Sequence, residues 1–183
     1  MTVTLLRHYK VLHTRPRSCT PSGYRETLRA YDDAGVLDQH VTLPQKYTRI
    51  ITSSLRRTAL TRDFLFGAVD SESSALLDEV PLAPFTDAER EFDPTFLDVM
   101  ARIQWLANNP RQPETREQSL ARARMFVDTF LREDHDYLLI GHGFFFRILS
   151  AELLRRGFAG RPVRYLHNGE SRVYRRAAAT EQI

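Results

Sequence analysis

The stretch Thr2-Val3-Thr4-Leu5-Leu6-Arg7-His8 is a run of strand-forming residues that ends abruptly in a cation and an imidazole. Its β-compatible residues are consecutive and lack helical spacing, which predicts a strand that is covered on both faces in a parallel α/β sheet. Ligands of such sheets bind beyond the carboxyl ends of the strands, where Arg7 and His8 would emerge. The alternative is a strand that runs into an ordinary polar loop.

A second stretch has the same form. The residues from Asp136 to Ile140 predict another buried strand, and Gly141-His142-Gly143 follows it directly, before an apolar segment with helical spacing. Glycines at this point remove Cβ atoms where a ligand would approach the backbone, and the start of a helix adds a positive dipole. The sequence therefore predicts a second histidine at the same edge of the sheet.

A third strand is predicted from Tyr47 to Thr52, with Ser53-Ser54 as the cap of a helix from Leu55 to Phe66. An arginine in the first turn of such a helix can bind an anion together with free backbone N–H groups. The alternative is a solvated helix start with the arginine outside. Four residues form the expected core face of this helix: Leu55, Ala59, Leu60 and Phe64.

The segment from Leu76 to Val80 predicts a short strand that carries Glu79 near its end. Residues 81–92 then have no regular pattern and are expected to form a lid or substrate loop, as is the polar stretch 9–18. Cap and proline signals place further helices over about 21–33, 93–107 and 116–131, and Asn168-Gly169 marks a turn before a last strand.

The composition narrows the possible functions. A chain of 183 residues with 42% hydrophobic residues fits one folded domain, and no apolar run is long enough to cross a bilayer. The start of the chain lacks a basic leader and a cleavable apolar stretch, so a cytoplasmic location is expected. The single cysteine, Cys19, excludes an intramolecular disulfide and a cysteine-based metal cluster.

Charge gives little evidence for a nucleic-acid partner. The net charge is only +3, although all but Lys10 and Lys46 of the 26 basic residues are arginines. An arginine excess of this kind also suits recognition of small anions. We therefore expect neither nucleic acid nor a membrane as partner, and the oligomeric state is not indicated.

Taken in order, the marks are Arg7-His8, Ser53-x-Leu55-x-Arg57-x-x-x-Thr61, Glu79 and Gly141-His142-Gly143. This series resembles the histidine phosphatase superfamily, also called phosphoglycerate mutase-like, from residue 2 to about residue 175. Each mark alone is weak, whereas four in the family's order and spacing are specific. The resemblance implies a three-layer α/β/α fold with a mostly parallel central sheet.

The resemblance also implies roles for individual residues. His8 corresponds to the nucleophile and Glu79 to the general acid of a phosphatase that acts through a phosphohistidine. Four residues correspond to the phosphate pocket: Arg7, Arg57, His142 and, in place of a usual asparagine, Thr14. Guanidinium groups bind phosphate oxygens bidentately, and a protonated His142 would add a donor. The expected substrate is a small phosphorylated metabolite or phosphoprotein, with no metal or other cofactor.

The sequence departs from the family pattern at three places. Tyr9 follows the expected nucleophile where a glycine is common, and Thr14 replaces the asparagine. The usual continuation after the acidic residue is replaced by Val80-Pro81-Leu82-Ala83-Pro84-Phe85, so Asp78 and Glu89 remain alternatives to Glu79 as the acid.

Two other functions remain compatible with the sequence. A phosphoglycerate mutase would use the same pocket, although such enzymes usually have longer chains with additional substrate-closing segments. A catalytically idle module would bind phosphorylated ligands, or nucleic acid through its arginines, without turnover.

Overall fold

The computed structural model describes residues 1–43, 46–132 and 135–176. A five-stranded sheet lies at its centre, with the strand order β3-β2-β4-β1-β5. Four strands are parallel and β5 pairs antiparallel to β1. The strands are β1 (Thr2–Arg7), β2 (Arg49–Ser53), β3 (Glu72–Ser74), β4 (Asp136–Gly141) and β5 (Ser171–Arg175).

Three of the helices begin where the sequence supplies side-chain caps. The Thr20 and Asp93 side chains accept backbone N–H groups at the starts of two helices, each with proline in its first turn, and Thr115 forms a capping box with Gln118. The helices are α1 (Pro21–Asp33), α2 (Arg56–Phe66), α3 (Pro94–Leu106), α4 (Arg116–Phe130) and α5 (Gly143–Arg155).

The predicted α/β/α layering is confirmed by the two faces of the sheet. On one face, Val3 and Leu5 of β1 join a core cluster that includes Phe126 of α4 and Leu149 of α5. On the other face, Leu6 belongs to a separate cluster that also contacts α2. Because alternate residues of a strand point to opposite faces, the unbroken apolar run in β1 serves both cores.

The strand predicted from Leu76 to Val80 is wrong. The third strand is β3, and a short 3-10 helix, Ala75–Leu77, follows it. The Ser74 side chain accepts the N–H of Leu76, and Arg122 donates to the backbone carbonyls of Leu76 and Asp78, at 3.1 and 2.7 Å. These carbonyls therefore accept hydrogen bonds from the Arg122 side chain, and the backbone turns before it reaches Glu79.

The predicted core face of α2 is wrong at Phe64, although Leu60 packs against a core cluster. Phe64 is 50% exposed, whereas Arg57, Thr58 and Thr61 are buried. The Thr61 hydroxyl donates to the backbone carbonyl of Arg57 at 2.7 Å and accepts the N–H of Tyr9 at 2.9 Å, so a buried polar face of the helix is satisfied by hydrogen bonds. The helix thereby turns Arg57 toward the cavity at the sheet edge.

Gly141 is required by packing. A Cβ at this position would lie 2.7 Å from the Phe146 ring, which is fully buried. The glycine thus allows α5 to pack closely on the end of β4. Within the described ranges, no helix has the length and apolar character needed to cross a membrane.

Candidate active site

A cavity of about 860 Å³ opens beyond the carboxyl ends of the parallel strands. Arg7, Arg57, Asp78 and Glu79 line it, together with residues of α1 and α3. The edge predicted from the strand ends is therefore the edge at which the structure places a cavity.

His8 lies beside this cavity and is only 3% exposed. Its Nδ1 lies 2.7 Å from the backbone carbonyl of Tyr9. A carbonyl can only accept, so Nδ1 carries the ring proton and the lone pair of a neutral ring is on Nε2. This is the tautomer that a nucleophilic imidazole requires.

The surroundings of His8 keep its ring neutral. Burial is the largest cause and the Arg57 and Arg7 cations add to it, so that the pKa of His8 falls to about 3, against the opposing effect of the Tyr9 hydrogen bond. Tyr9, where the family often has glycine, is 1% exposed and packs in a core cluster with Val11 and Val36. Its ring is therefore directed away from the pocket.

Arg7 crosses the start of α5. Its Nη1 donates to the carbonyl of Leu166 at 2.7 Å, and its Nε is buried with no partner among the described residues. A Cβ on Gly143 would lie 3.2 Å from the Arg7 guanidinium. Gly143 therefore makes room for this side chain, and the expectation that it admits a ligand to the backbone is corrected. The unpartnered Nε is a donor that an anion can satisfy.

Arg57 and His142 begin a buried hydrogen-bonded chain. Arg57 Nε donates to His142 Nδ1 at 3.2 Å, which places the histidine proton on Nε2, 2.8 Å from the Ser53 hydroxyl. Ser53 donates in turn to Asp78 at 2.6 Å. His142 is 0% exposed, and burial, followed by Arg57 and His8, holds its pKa well below 6.5. In the free protein His142 is therefore neutral, and it is not the protonated donor that the sequence analysis considered.

Asp32 is a site residue that the sequence did not indicate. It lies in the last turn of α1, and its carboxylate pairs with Arg57 Nη1 at 2.6 Å. The Asp32 side chain is 51% exposed while that of Arg57 is 4% exposed. The ring of Tyr31 lies 5.1 Å from the Arg57 guanidinium. A carboxylate of the protein itself thus occupies one edge of the Arg57 guanidinium in the free protein.

Glu79 lies at the amino end of α5. Its Oε1 accepts the N–H groups of Val80 and Phe145 at 3.0 and 2.9 Å, and its Oε2 accepts that of Phe144 at 3.2 Å. The carboxylate therefore faces the cavity in a fixed orientation. The helix start that was expected to bind a ligand is instead capped by this side chain.

The two alternatives for the acid occupy different places. Asp78 lines the cavity, but both of its oxygens accept bonds from Ser53 or Ser54. Glu89 does not line the cavity, and it accepts the hydroxyl of Ser22 at 2.8 Å at the start of α1. Of the three, Glu79 alone both lines the cavity and accepts hydrogen bonds only from backbone N–H groups.

Thr14 is not part of the pocket. Its side chain is exposed, and its neighbours His13 and Arg15 line the cavity instead. Asn168 is a contact that the sequence analysis missed, since it donates to the carbonyl of His8 at 2.9 Å. The Asn168-Gly169 turn signal was visible, but only the pairing of β1 with β5 brings this turn to His8.

Comparisons with known proteins identify the fold. A family model described as histidine phosphatase superfamily (branch 1) matches residues 27–182, and no curated protein matches the chain. A mycobacterial glucosyl-3-phosphoglycerate phosphatase with inorganic phosphate has a similar structure, at 18% identity and TM-score 0.60, over 94% of this chain and 88% of that chain. A phosphoserine phosphatase from Entamoeba histolytica with 3-phosphoglyceric acid is also similar, at 15% identity and TM-score 0.53, over 94% and 89%.

The family model and the solved structures support different parts of this description. The match to the family model begins after Arg7 and His8. The proposed roles of these two residues are therefore supported by the geometry described above and not by that match. The solved structures are too distant in sequence to show more than the shared fold. The predicted family and fold are confirmed by these findings.

The burial of His8 beside Arg7 and Arg57 predicts that its ring has an unusually low pKa. In a nitrogen-resolved NMR titration from pH 8 to pH 5, the His8 ring should remain neutral with its proton on Nδ1. Arg57→Ala should raise the pKa of His8, because one of the depressing cations is lost, while burial keeps it below 6.5. A wild-type ring that titrates near 6.5 would contradict this description of the site.

The Asp32–Arg57 ion pair predicts that loss of the Asp32 charge strengthens phosphate binding. Asp32→Asn should tighten binding of inorganic phosphate about 3- to 10-fold, since a negative charge that competes for Arg57 is removed. Calorimetric titration measures this effect, and Asp33→Asn, which removes an equal exposed charge one residue away, serves as the matched control. Weaker phosphate binding by Asp32→Asn would instead show that Asp32 is needed to hold Arg57 in place.

Proposed function

The chain belongs to the histidine phosphatase superfamily, and from that premise we propose that it hydrolyses phosphate monoesters through a phosphohistidine at His8. The observation that carries the proposal is the state of His8: its Nε2 has no hydrogen-bond partner among the described residues, and the charges of Arg7 and Arg57 act on the ring. The substrate class is a small phosphorylated metabolite. A cavity of about 860 Å³ is of the size that small-molecule ligands occupy.

In the first step the phosphoryl group lies against Arg7 and Arg57. The Arg7 Nε, unpartnered among the residues described, donates to one phosphoryl oxygen, and Arg57 exchanges its Asp32 contact for another. His8 Nε2 attacks phosphorus as the ester P–O bond breaks. The two cations stabilise the charge that spreads over the equatorial oxygens in the transition state.

Glu79 supplies the proton that the leaving oxygen needs. Its Oε2 accepts only one backbone N–H and retains capacity for a proton, which passes to the ester oxygen as the bond breaks. In the second step a water molecule attacks the phosphohistidine and gives its proton to the Glu79 carboxylate. Phosphate then leaves, and the neutral His8 ring is restored.

His142 has a positioning role in this scheme. Its Nδ1 fixes Arg57 Nε, and the chain through Ser53 to Asp78 fixes the His142 ring. The arrangement orients the Arg57 fork through His142 and Ser53, which are both buried. Binding of a phosphate dianion beside His142 favours its protonation, since the added charge opposes the effect of the arginines.

Substrates with different leaving groups distinguish the roles of His8 and Glu79. His8→Asn should lose essentially all release of inorganic phosphate from any ester. Glu79→Gln should lose about 100-fold or more with glycerol phosphate, whose alkoxide requires a proton, and much less with p-nitrophenyl phosphate, whose phenolate does not. Phosphate release is measured with a chelator present throughout, because the proposed pocket uses cations of the protein.

Each other outcome identifies a different function. Equal losses on both esters in Glu79→Gln would move the acid to Asp78. Interconversion of 3- and 2-phosphoglycerate without net phosphate release would indicate a mutase. Binding of phosphate without turnover of any ester, or activity that a chelator abolishes, would contradict the proposal.

A further inference from the structure

Helix α1 forms one wall of the cavity. Residues of this helix between Arg25 and Asp32 line that wall, and its last turn brings Tyr31 and Asp32 to Arg57. Among the residues that the structure describes, Tyr31 is the only tyrosine that lines the cavity. The steps proposed above use Arg57 and Asp32 but leave Tyr31 without a role.

The Tyr31 ring packs against the guanidinium group of Arg57. Its centroid lies 5.1 Å from the Arg57 Cζ, a distance at which a cation is attracted to an aromatic face. The Arg57 Nε donates to His142, and Nη1 donates to Asp32. The Tyr31 ring is supported in turn by the His13 ring, which meets it edge-on at 5.9 Å. The guanidinium is therefore held by a ring contact and by two of its nitrogens.

The Tyr31 hydroxyl has no hydrogen-bond partner within the described ranges of the chain. The hydroxyl of Tyr24, by contrast, donates to Asp98 at 2.5 Å. That of Tyr174 donates to the carbonyl of Arg161 at 2.7 Å. A tyrosine that is partly buried usually pairs its hydroxyl. Because Tyr31 lines the cavity, a ligand in the cavity can supply the partner that the protein does not.

The charges that act on the Tyr31 hydroxyl are those of the phosphoryl site. They are the cations of Arg57 and Arg7 and the carboxylates of Glu79 and Asp32. Burial is the largest influence and raises the pKa of the Tyr31 phenol above its usual value, against the opposing effect of the two cations. The phenol therefore keeps its proton at neutral pH and is a hydrogen-bond donor.

A phosphoryl group at this site has an oxygen to which the proposed first step assigns no donor. Three equatorial oxygens share the charge in the transition state, and Arg7 and Arg57 were each assigned one of them. A phenol can donate to the third oxygen without adding another cation beside His8. This matters because a further positive charge there would weaken the transition state's attraction for none of its oxygens but would add to the cost of the cation cluster in the free protein.

We propose that Tyr31 is a further catalytic residue, whose hydroxyl donates a hydrogen bond to a non-bridging phosphoryl oxygen of the substrate. The proton stays on Tyr31 throughout, so Glu79 remains the group that protonates the leaving oxygen. The contribution of Tyr31 is therefore the same for every leaving group. This inference rests on the proposed function and adds one residue to its phosphoryl site.

The test removes the hydroxyl and keeps the ring. Tyr31→Phe should lower kcat/KM about 10- to 100-fold, the effect of losing one hydrogen bond to a charged group. The loss should be similar for glycerol phosphate and p-nitrophenyl phosphate, because both esters present the same phosphoryl oxygens. Calorimetric titration with inorganic phosphate should show binding that is weaker by at least about threefold.

A second variant separates the hydroxyl from the packing of the ring. Tyr31→Leu removes both, so it should lose at least as much activity as Tyr31→Phe. If Tyr31 acted only by packing on Arg57, Tyr31→Phe would behave as wild type and Tyr31→Leu alone would be impaired. Tyr165→Phe is the matched control, since the Tyr165 ring lies 5.9 Å from the Arg7 guanidinium but is 63% exposed and does not line the cavity. It should leave turnover and phosphate binding unchanged.

Turnover by the wild-type protein distinguishes the two ways to fail. If the wild type hydrolyses the esters and Tyr31→Phe matches it in turnover and phosphate binding, the inference alone is overturned. A loss in Tyr31→Phe that is confined to glycerol phosphate also overturns it, because the phenol would then serve the leaving oxygen. A wild-type protein that hydrolyses no ester contradicts the proposed function, and the catalytic role of Tyr31 with it.

Discussion

The burial of two neutral imidazoles beside guanidinium groups is the constraint on which the site depends. His8 and His142 have ring centroids 5.1 Å apart, and both are removed from water next to Arg57. Protonation of either ring would place a third cation in this cluster, so the fold keeps both rings neutral. The same cost makes the cluster attractive to an incoming dianion, which would supply the charge that the protein lacks there.

The sheet makes this cluster possible. β1 and β4 are parallel neighbours in register, with Arg7 opposite Gly141, so the residues that follow both strands emerge together. Gly141 and Gly143 then allow the start of α5 to pack against Phe146 and Arg7. Glu79 is fixed by the same helix start. The segment from Gly141 to Phe145 thus contacts the proposed nucleophile, one cation and the proposed acid.

Features coded by local pattern were predicted from the sequence. The strand-end positions of Arg7, His8 and His142 follow from unbroken apolar runs, and the capping box at Thr115 is a local signal. Features that arise from tertiary contacts were not. The buried polar face of α2 depends on bonds from Thr61 to Tyr9, and the strand expected at Leu76 was lost to carbonyl contacts with Arg122, 46 residues away.

The same distinction explains the site residues that were missed. Asp32 stands in a helix with no motif around it, and only the packing of α1 near α2 brings it to Arg57. Thr14 was assigned by its position in a family pattern, but the loop carries its neighbours to the cavity and leaves it outside.

The most direct test of this account is to trap the phosphorylated protein. Brief reaction with a substrate labelled in the phosphoryl group, followed by an alkaline quench and peptide mass spectrometry, should find a single phosphoryl group on His8, attached at Nε2. It should be absent from His8→Asn and should accumulate in Glu79→Gln. A label on another residue, or undiminished phosphate release by His8→Asn, would contradict the account.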